Sequence, residues 1–168
     1  MTQPYRYLKD FTEIGIGDVA LVGGKNASLG EMVRELTPLG VRVPGGFAVT
    51  ADGFHAFIDG AGLRPRLEEL LAGIDKNDLA DFARRGRALR EAMYSAPMPD
   101  DLAAEIRAAY AKMETDYGAD TDVAVRSSAT AEDLPSASFA GQHDTFLNIH
   151  SAAQLLDAVK RCFASLFT

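Results

Sequence analysis

The sequence predicts an α+β (mixed α/β) fold built as one lobe, and three observations carry that expectation. Apolar residues recur at the spacing of amphipathic helices along much of the chain, above all in residues 63–118. Short apolar runs bounded by glycine, proline or aspartate stand where strands would, at residues 5–11, 19–22, 41–49, 123–125 and 144–148. Between the last two runs lies a hydroxyl-rich loop with too few large aliphatic side chains to be core. The 168 residues, 47% of them hydrophobic, suffice for one domain or one large lobe of a bigger unit.

Taken in order, Tyr5, Tyr7, Leu8 and Phe11 read as a first strand that Gly15 and Gly17 close. The run 19–22 reads as a second strand, ending at Gly23-Gly24-Lys25-Asn26, after which Leu29, Met32, Val33 and Leu36 mark a helix. Pro38 and Gly40 end it. Residues 41–49, VRVPGGFAV, are extended, with Pro44-Gly45-Gly46 as a structural turn. Thr50 caps a helix whose apolar stripe is Phe54, Phe57 and Ile58, with His55 on its surface. A helical insert over about 51–118 continues through three stripes: Leu63, Leu67, Leu70 and Leu71; then Leu79, Phe82, Ala83, Leu89 and Met93, capped by Asp78; then Leu102, Ile106, Ala109, Tyr110 and Met113. The arginines at 84, 85, 87 and 90 read as solvated helix surface beside Asp78, Asp81 and Glu91. Ser151 and Gln154 form a capping box for a last helix carrying Leu155, Val159, Cys162, Phe163 and Leu166.

Composition narrows the function. A formal charge of −7 argues against nucleic acid and against an anionic membrane surface as partner. No stretch approaches the ~18 consecutive apolar residues of a membrane span, and the first residues lack a signal-peptide core. A cytoplasmic location follows as the expectation, and the single Cys162 fits it as a buried small hydrophobe rather than a nucleophile. The apolar last residues, Phe163 to Phe167, read as the edge of a fragment with a tendency to self-associate.

Two stretches carry chemistry. A strand, two glycines, a lysine and a helix start would leave the first-turn N–H groups open to an anion, with Lys25 adding a full charge. The bland alternative is a turn with Lys25 as a solvated first-turn residue. It is not a Walker loop: the first glycine of that motif would fall at Val19, and Asn26 replaces its Ser/Thr. The second stretch, residues 123–148, delivers Arg126 and the hydroxyls of Ser127 and Ser128 from a strand. Its loop runs to roughly sixteen residues, and loops beyond about 12–15 are uncommon unless functional or disordered. Arg126 offers forked donors for phosphate oxygens and Lys25 a mobile point charge. Ser138 adds a hydroxyl, and Gly141 permits close approach of backbone. Glu132 and Asp133 point outward or carry magnesium through water, the outward reading being preferred, and Phe139 anchors the loop. An exposed serine-rich hairpin is the bland reading of this stretch.

The motifs VGGKNASLGEM (22–32), VPGGFAVTADGF (43–54) and VRSSATAEDLPSASFAGQHDTFLN (125–148) resemble the N-terminal region of the phosphoenolpyruvate synthases, or pyruvate, water dikinases. These belong to the PEP-utilising enzymes, with the pyruvate phosphate dikinases and rifamycin phosphotransferases. The resemblance implies the first lobe of an ATP-grasp-like domain, with the phosphohistidine and PEP/pyruvate domains absent from residues 1–168. It implies ATP as ligand and AMP as product, pyruvate as the partner substrate of the full enzyme, and Mg2+ held with a second lobe. Carried over by motif, the nucleotide contacts would be Lys25, Arg126, Gly141 and Thr145, with Ser127 and Gln142 as weaker members. No catalytic residue and no metal ligand is assigned to this chain; His55, His143 and His150 do not match the family's phosphohistidine motif. The chain alone is expected to be inactive. Alternatives are a rifamycin phosphotransferase lobe, or a non-catalytic nucleotide-binding or truncated structural module.

Overall fold

The structure, a computed structural model, describes residues 5–75, 77–130 and 144–167. Among these, four short strands and seven α-helices alternate: β1 (Leu8–Asp10), α1 (Val19–Val22), α2 (Gly24–Leu36), β2 (Phe47–Val49), α3 (Ala51–Gly60), α4 (Arg64–Leu71), α5 (Leu79–Ser95), α6 (Asp100–Tyr117), β3 (Val123–Arg126), β4 (Thr145–Ile149) and α7 (Ala152–Ala164). The mixed α and β class is as the sequence predicts.

Helices α3, α5 and α7 start where side chains pair their orphan donors. Thr50 Oγ1 accepts from Gly53 N–H and also donates to Tyr7 O at 3.0 Å, so one buried hydroxyl caps α3 and ties it to the chain entering β1. Asp78 accepts from Asp81 N–H at the start of α5, and Ser151 accepts from Gln154 N–H at the start of α7. Gln154 Oε1 reaches past the cap to accept from His150 N–H at 2.9 Å. On α6, the Glu105 carboxylate accepts both Arg6 N–H and Tyr7 N–H at 2.9 Å, while Tyr7 OH donates to Asp101. That hydrogen bond raises the Tyr7 hydroxyl above its ordinary pKa.

Two apolar clusters result. The larger is centred on Phe57, Met93, Leu102 and Ile106, and gathers Leu8, Leu89, Tyr110, Leu155 and Val159 around them. The smaller holds Phe11, Ile14, Val22, Ala27 and Ala48 beneath α1 and α2. β1 and β2 pair antiparallel, Leu8 opposite Val49 and Asp10 opposite Phe47. β3 and β4 form a separate antiparallel pair with Val123 opposite Ile149, Val125 opposite Phe146 and Arg126 opposite Thr145. Its bulge falls on β4, where Asn148 takes a positive φ of 56°.

Several sequence expectations are corrected. Residues 19–22 are helical, not a strand: Gly23 N–H closes onto Val19 O at 2.8 Å, and the preceding turn is fixed by Gly15 N–H donating to Asp18. A short apolar run has no period to tell the two apart. The first strand shrinks to Leu8–Asp10, because Asp10 and Glu13 exchange backbone caps that fold Phe11 into a 3-10 turn. Of residues 41–49 only Phe47–Val49 is strand, and Gly46 O accepts from Phe11 N–H at 3.0 Å. Leu71, Leu79, Phe82 and Ala83 are exposed, not core. The Asp81–Arg85 ion pair fills that corner, with Arg85 donating to Leu70 O and Ala72 O at the end of α4. Arg85 and Arg90 are thus helix ties rather than solvated surface, Arg90 donating to Phe167 O.

Candidate functional site

The site grows from the corner between α1 and α2. Gly23 adopts φ +80°, a region that favours glycine, and ends one helix as it opens the next. A Cβ there would stand 2.6 Å from Ser128 O, so the end of β3 comes within backbone contact of this corner. Gly24 N–H donates to Ala129 O at 3.4 Å and Asn26 N–H to Ser128 Oγ at 3.3 Å. The Asn26 side chain turns back to donate to Val22 O at 2.8 Å. Lys25, half-buried, therefore sits between two residues whose N–H groups are held by the chain just beyond Arg126. This corrects the expectation of open first-turn donors. Gly23 and Gly24 are buried and Asn26 half-buried, and N–H groups shielded in this way take protein partners.

On the other side of the junction, β3 turns Val123 and Val125 inward toward the larger cluster and leaves Ala124 and Arg126 exposed. Arg126 lies opposite Thr145, also exposed, so these two candidate residues share one face of the hairpin. Ser127 N–H donates to Asp144 O at 3.3 Å, linking the end of β3 to the approach to β4. The Ser127 residue is only 6% exposed, and its hydroxyl has no hydrogen-bond partner among the described residues. Gly141 and Gln142 lie outside the described residues, as do Glu132, Asp133, Ser138, Phe139 and His143. The structure thus brings together Gly23–Asn26 with residues 127–129, and Arg126 with Thr145.

The family described as pyruvate phosphate dikinase, AMP/ATP-binding domain, matches residues 19–168. This chain belongs to that family. It is 51% identical to a phosphoenolpyruvate synthase of Synechocystis sp. over 163 residues, covering 94% of this chain and 20% of that relative. Identity is 50% to the phosphoenolpyruvate synthase of Aquifex aeolicus over 157 residues, 93% of this chain and 18% of the relative. For that of Escherichia coli it is 48% over 157 residues, 94% and 20%. The chain spans about a fifth of the length of the curated relatives it matches.

For an AMP/ATP-binding domain the chemistry of the junction is apt. Lys25 and Arg126 are cations, and Ser127 and Thr145 are hydroxyls: a set that suits phosphate oxygens. The buried Ser127 hydroxyl, without a partner among the described residues, is the sort of donor that a ligand would satisfy. The same set does not suit Mg2+, which takes carboxylate and water oxygens. Among the described residues no group of three or more His, Cys, Asp or Glu could hold a metal ion. Beneath the hairpin, Cys162 Sγ lies 4.0 Å from Asp144 O, and burial pushes its thiol up to about 12, so it stays protonated. A groove of about 420 Å³ lies elsewhere, between Pro44, Gly45, Met113, Tyr117 and Asp122, and none of the predicted site residues lines it. Among the described residues no helix is long and apolar enough to cross a membrane.

Asn26 and Ser128 are the residues that sequence reading undervalued. Asn26 stood only as a departure from a Walker loop and Ser128 only as one more hydroxyl. Their signal was present: polar side chains directly after Gly-Gly-Lys and directly after Arg-Ser, in two stretches already marked for phosphate.

Proposed function

We propose that this domain is the ATP-binding lobe of a phosphotransferase that converts pyruvate, ATP and water to phosphoenolpyruvate, AMP and phosphate. The phosphoryl group would pass through a phosphohistidine carried outside these residues, and the lobe would be the first half of an ATP-grasp-like cleft. The observation that supports it most is the junction itself. Two cations, Lys25 and Arg126, are carried by segments bonded to each other through Gly24–Ala129 and Asn26–Ser128, with a buried hydroxyl at Ser127 that has no partner among the described residues.

In this reading Lys25 and Arg126 neutralise phosphate oxygens of ATP, which carries about four negative charges near neutral pH. Thr145, opposite Arg126, adds a hydroxyl on the same face, and Gly141 and Gln142 would cover the phosphates from the loop. Magnesium would come with carboxylates of the second lobe, since this lobe's donors are basic and hydroxylic. The 168 residues by themselves would bind ATP weakly and turn nothing over in the cytoplasm.

The test uses the intact enzyme. Arg126→Ala should reduce AMP formation from ATP and pyruvate by about 10²–10³-fold, the scale of losing one preorganised charge at a phosphoryl group. Its thermal unfolding should be unchanged, because the side chain is exposed. Undiminished turnover would make Arg126 a surface residue and end this reading.

A further inference from the structure

We infer that Ser128 and Asn26 are positioning residues that clamp Lys25 and Arg126 into one unit; this rests on the nucleotide reading above. The clamp joins positions 102 residues apart through Asn26 N–H to Ser128 Oγ at 3.3 Å. A second strut runs from Gly24 N–H to Ala129 O at 3.4 Å, so the residues on both sides of Lys25 are held by the chain that follows Arg126. Asn26 Nδ2 closes the other end by donating to Val22 O at 2.8 Å, which fixes the α1–α2 corner against the first turn. Gly23 admits Ser128 to this corner because nothing larger than hydrogen fits between them.

The polar struts are long and partly exposed, so they add little to stability. Their geometry matters more. Two cations on separate segments grip one phosphate chain only if their spacing is set in advance, and a misplacement of about 1 Å can cost up to about 100-fold in rate. Ser128 touches the helix that carries one cation and lies two residues past the other, so its hydroxyl couples the two without meeting the ligand.

The experiment is a double-mutant cycle in the intact enzyme, reading kcat/KM for ATP from AMP formation. Ser128→Ala should lower kcat/KM about 10-fold, and Ser128→Thr, which keeps an acceptor at the same position, should restore it to within about threefold. In an Arg126→Ala background, Ser128→Ala should cost less than about twofold, because there is no second cation left to align. A full additional 10-fold loss in that background would overturn the clamp, and so would a Ser128→Ala enzyme with normal kcat/KM. If Arg126→Ala and Lys25→Ala each leave ATP cleavage intact, the nucleotide reading fails first, a different result from either of these. Should Ser128→Ala melt below the assay temperature, the cycle is read below its melting point under the same expectations; Asn26→Ala, which keeps the backbone N–H to Ser128, should lower kcat/KM less than Ser128→Ala. Alanine is the better helix former, and that variant removes only the strut to Val22 O.

Discussion

Residues 51–117 and the junction of α2 with the β3–β4 hairpin are built on opposite terms. The helical region is organised by side chains: Phe57, Met93, Leu102 and Ile106 are essentially without solvent contact, and polar caps start its helices at Thr50 and Asp78. The junction is organised by backbone. A glycine meets a serine carbonyl, two N–H groups are taken by neighbouring chain, and the apolar residues of β3 are only half-buried. Close packing of large side chains supplies stability in the first region. In the second, modest polar contacts set where Lys25 and Arg126 stand.

The largest effect should come from breaking the side-chain region. Phe57→Ala should destabilise the domain by about 3–5 kcal/mol, since it empties a site whose neighbours are held by α3, α5, α6 and α7. Urea unfolding checks this. A loss below about 1 kcal/mol would mean the core does not close around Phe57. The folded fraction should keep its ATP affinity, because Phe57 is absent from the contacts that hold the junction.

Gly23→Ala comes next and should invert the pattern. Forcing a Cβ into φ +80° costs about 1–3 kcal/mol, less than the loss of Phe57. Yet the added methyl must push Ser128 away, so ATP affinity in the intact enzyme should fall more than for any core variant. Titration of ATP alongside unfolding separates the two quantities. Equal effects on both would erase the distinction between the regions.

These terms also explain what the sequence made legible. Helices α3 to α7 were readable because a stripe and a cap are local: Thr50, Asp78 and Ser151 stand at the starts their types predict. Strands were readable at 123–125 from an apolar run and near 144–148 from alternation, but that Arg126 stands opposite Thr145 was not. The errors came where distant residues decide. Residues 19–22 are a helical turn because of bonds at Gly15, Asp18 and Gly23, not because of their own apolar character. Phe82 is exposed because Arg85 reaches the carbonyls of α4 first. Two first-turn donors of α2, Gly24 N–H and Asn26 N–H, are occupied because residues 128 and 129, a hundred positions away, supply acceptors, which no local pattern encodes.

The smallest expected effect probes the seam where the two regions meet. Cys162 sits on α7 in the larger region, and its Sγ lies against Asp144 O at the approach to β4. Burial, with a lesser contribution from the Asp144 charge, raises its thiol from an ordinary 9.0 to about 12. In the unfolded chain the thiol releases its proton near the ordinary value while the folded chain still holds it. The unfolded state then binds fewer protons, so stability contributed by this group is intact below pH ~9 and is lost as pH rises toward ~12. The Tyr7 and Tyr110 hydroxyls are also raised above their ordinary value and add to the alkaline change of the wild type. The difference between wild type and Cys162→Ala isolates the thiol, because both tyrosines are common to the two proteins. Between pH 8 and pH 10 the wild type should lose urea stability more steeply than Cys162→Ala, and parallel curves would place the thiol in solvent. Alkylation gives the kinetic counterpart. Iodoacetamide at pH 8.5 should label Cys162 far more slowly in the folded protein than in urea, at a rate set by how often the chain at Asp144 lifts from α7. If that rate matches global unfolding, the hairpin belongs to the side-chain region's cooperative unit; if it is faster, the junction opens on its own.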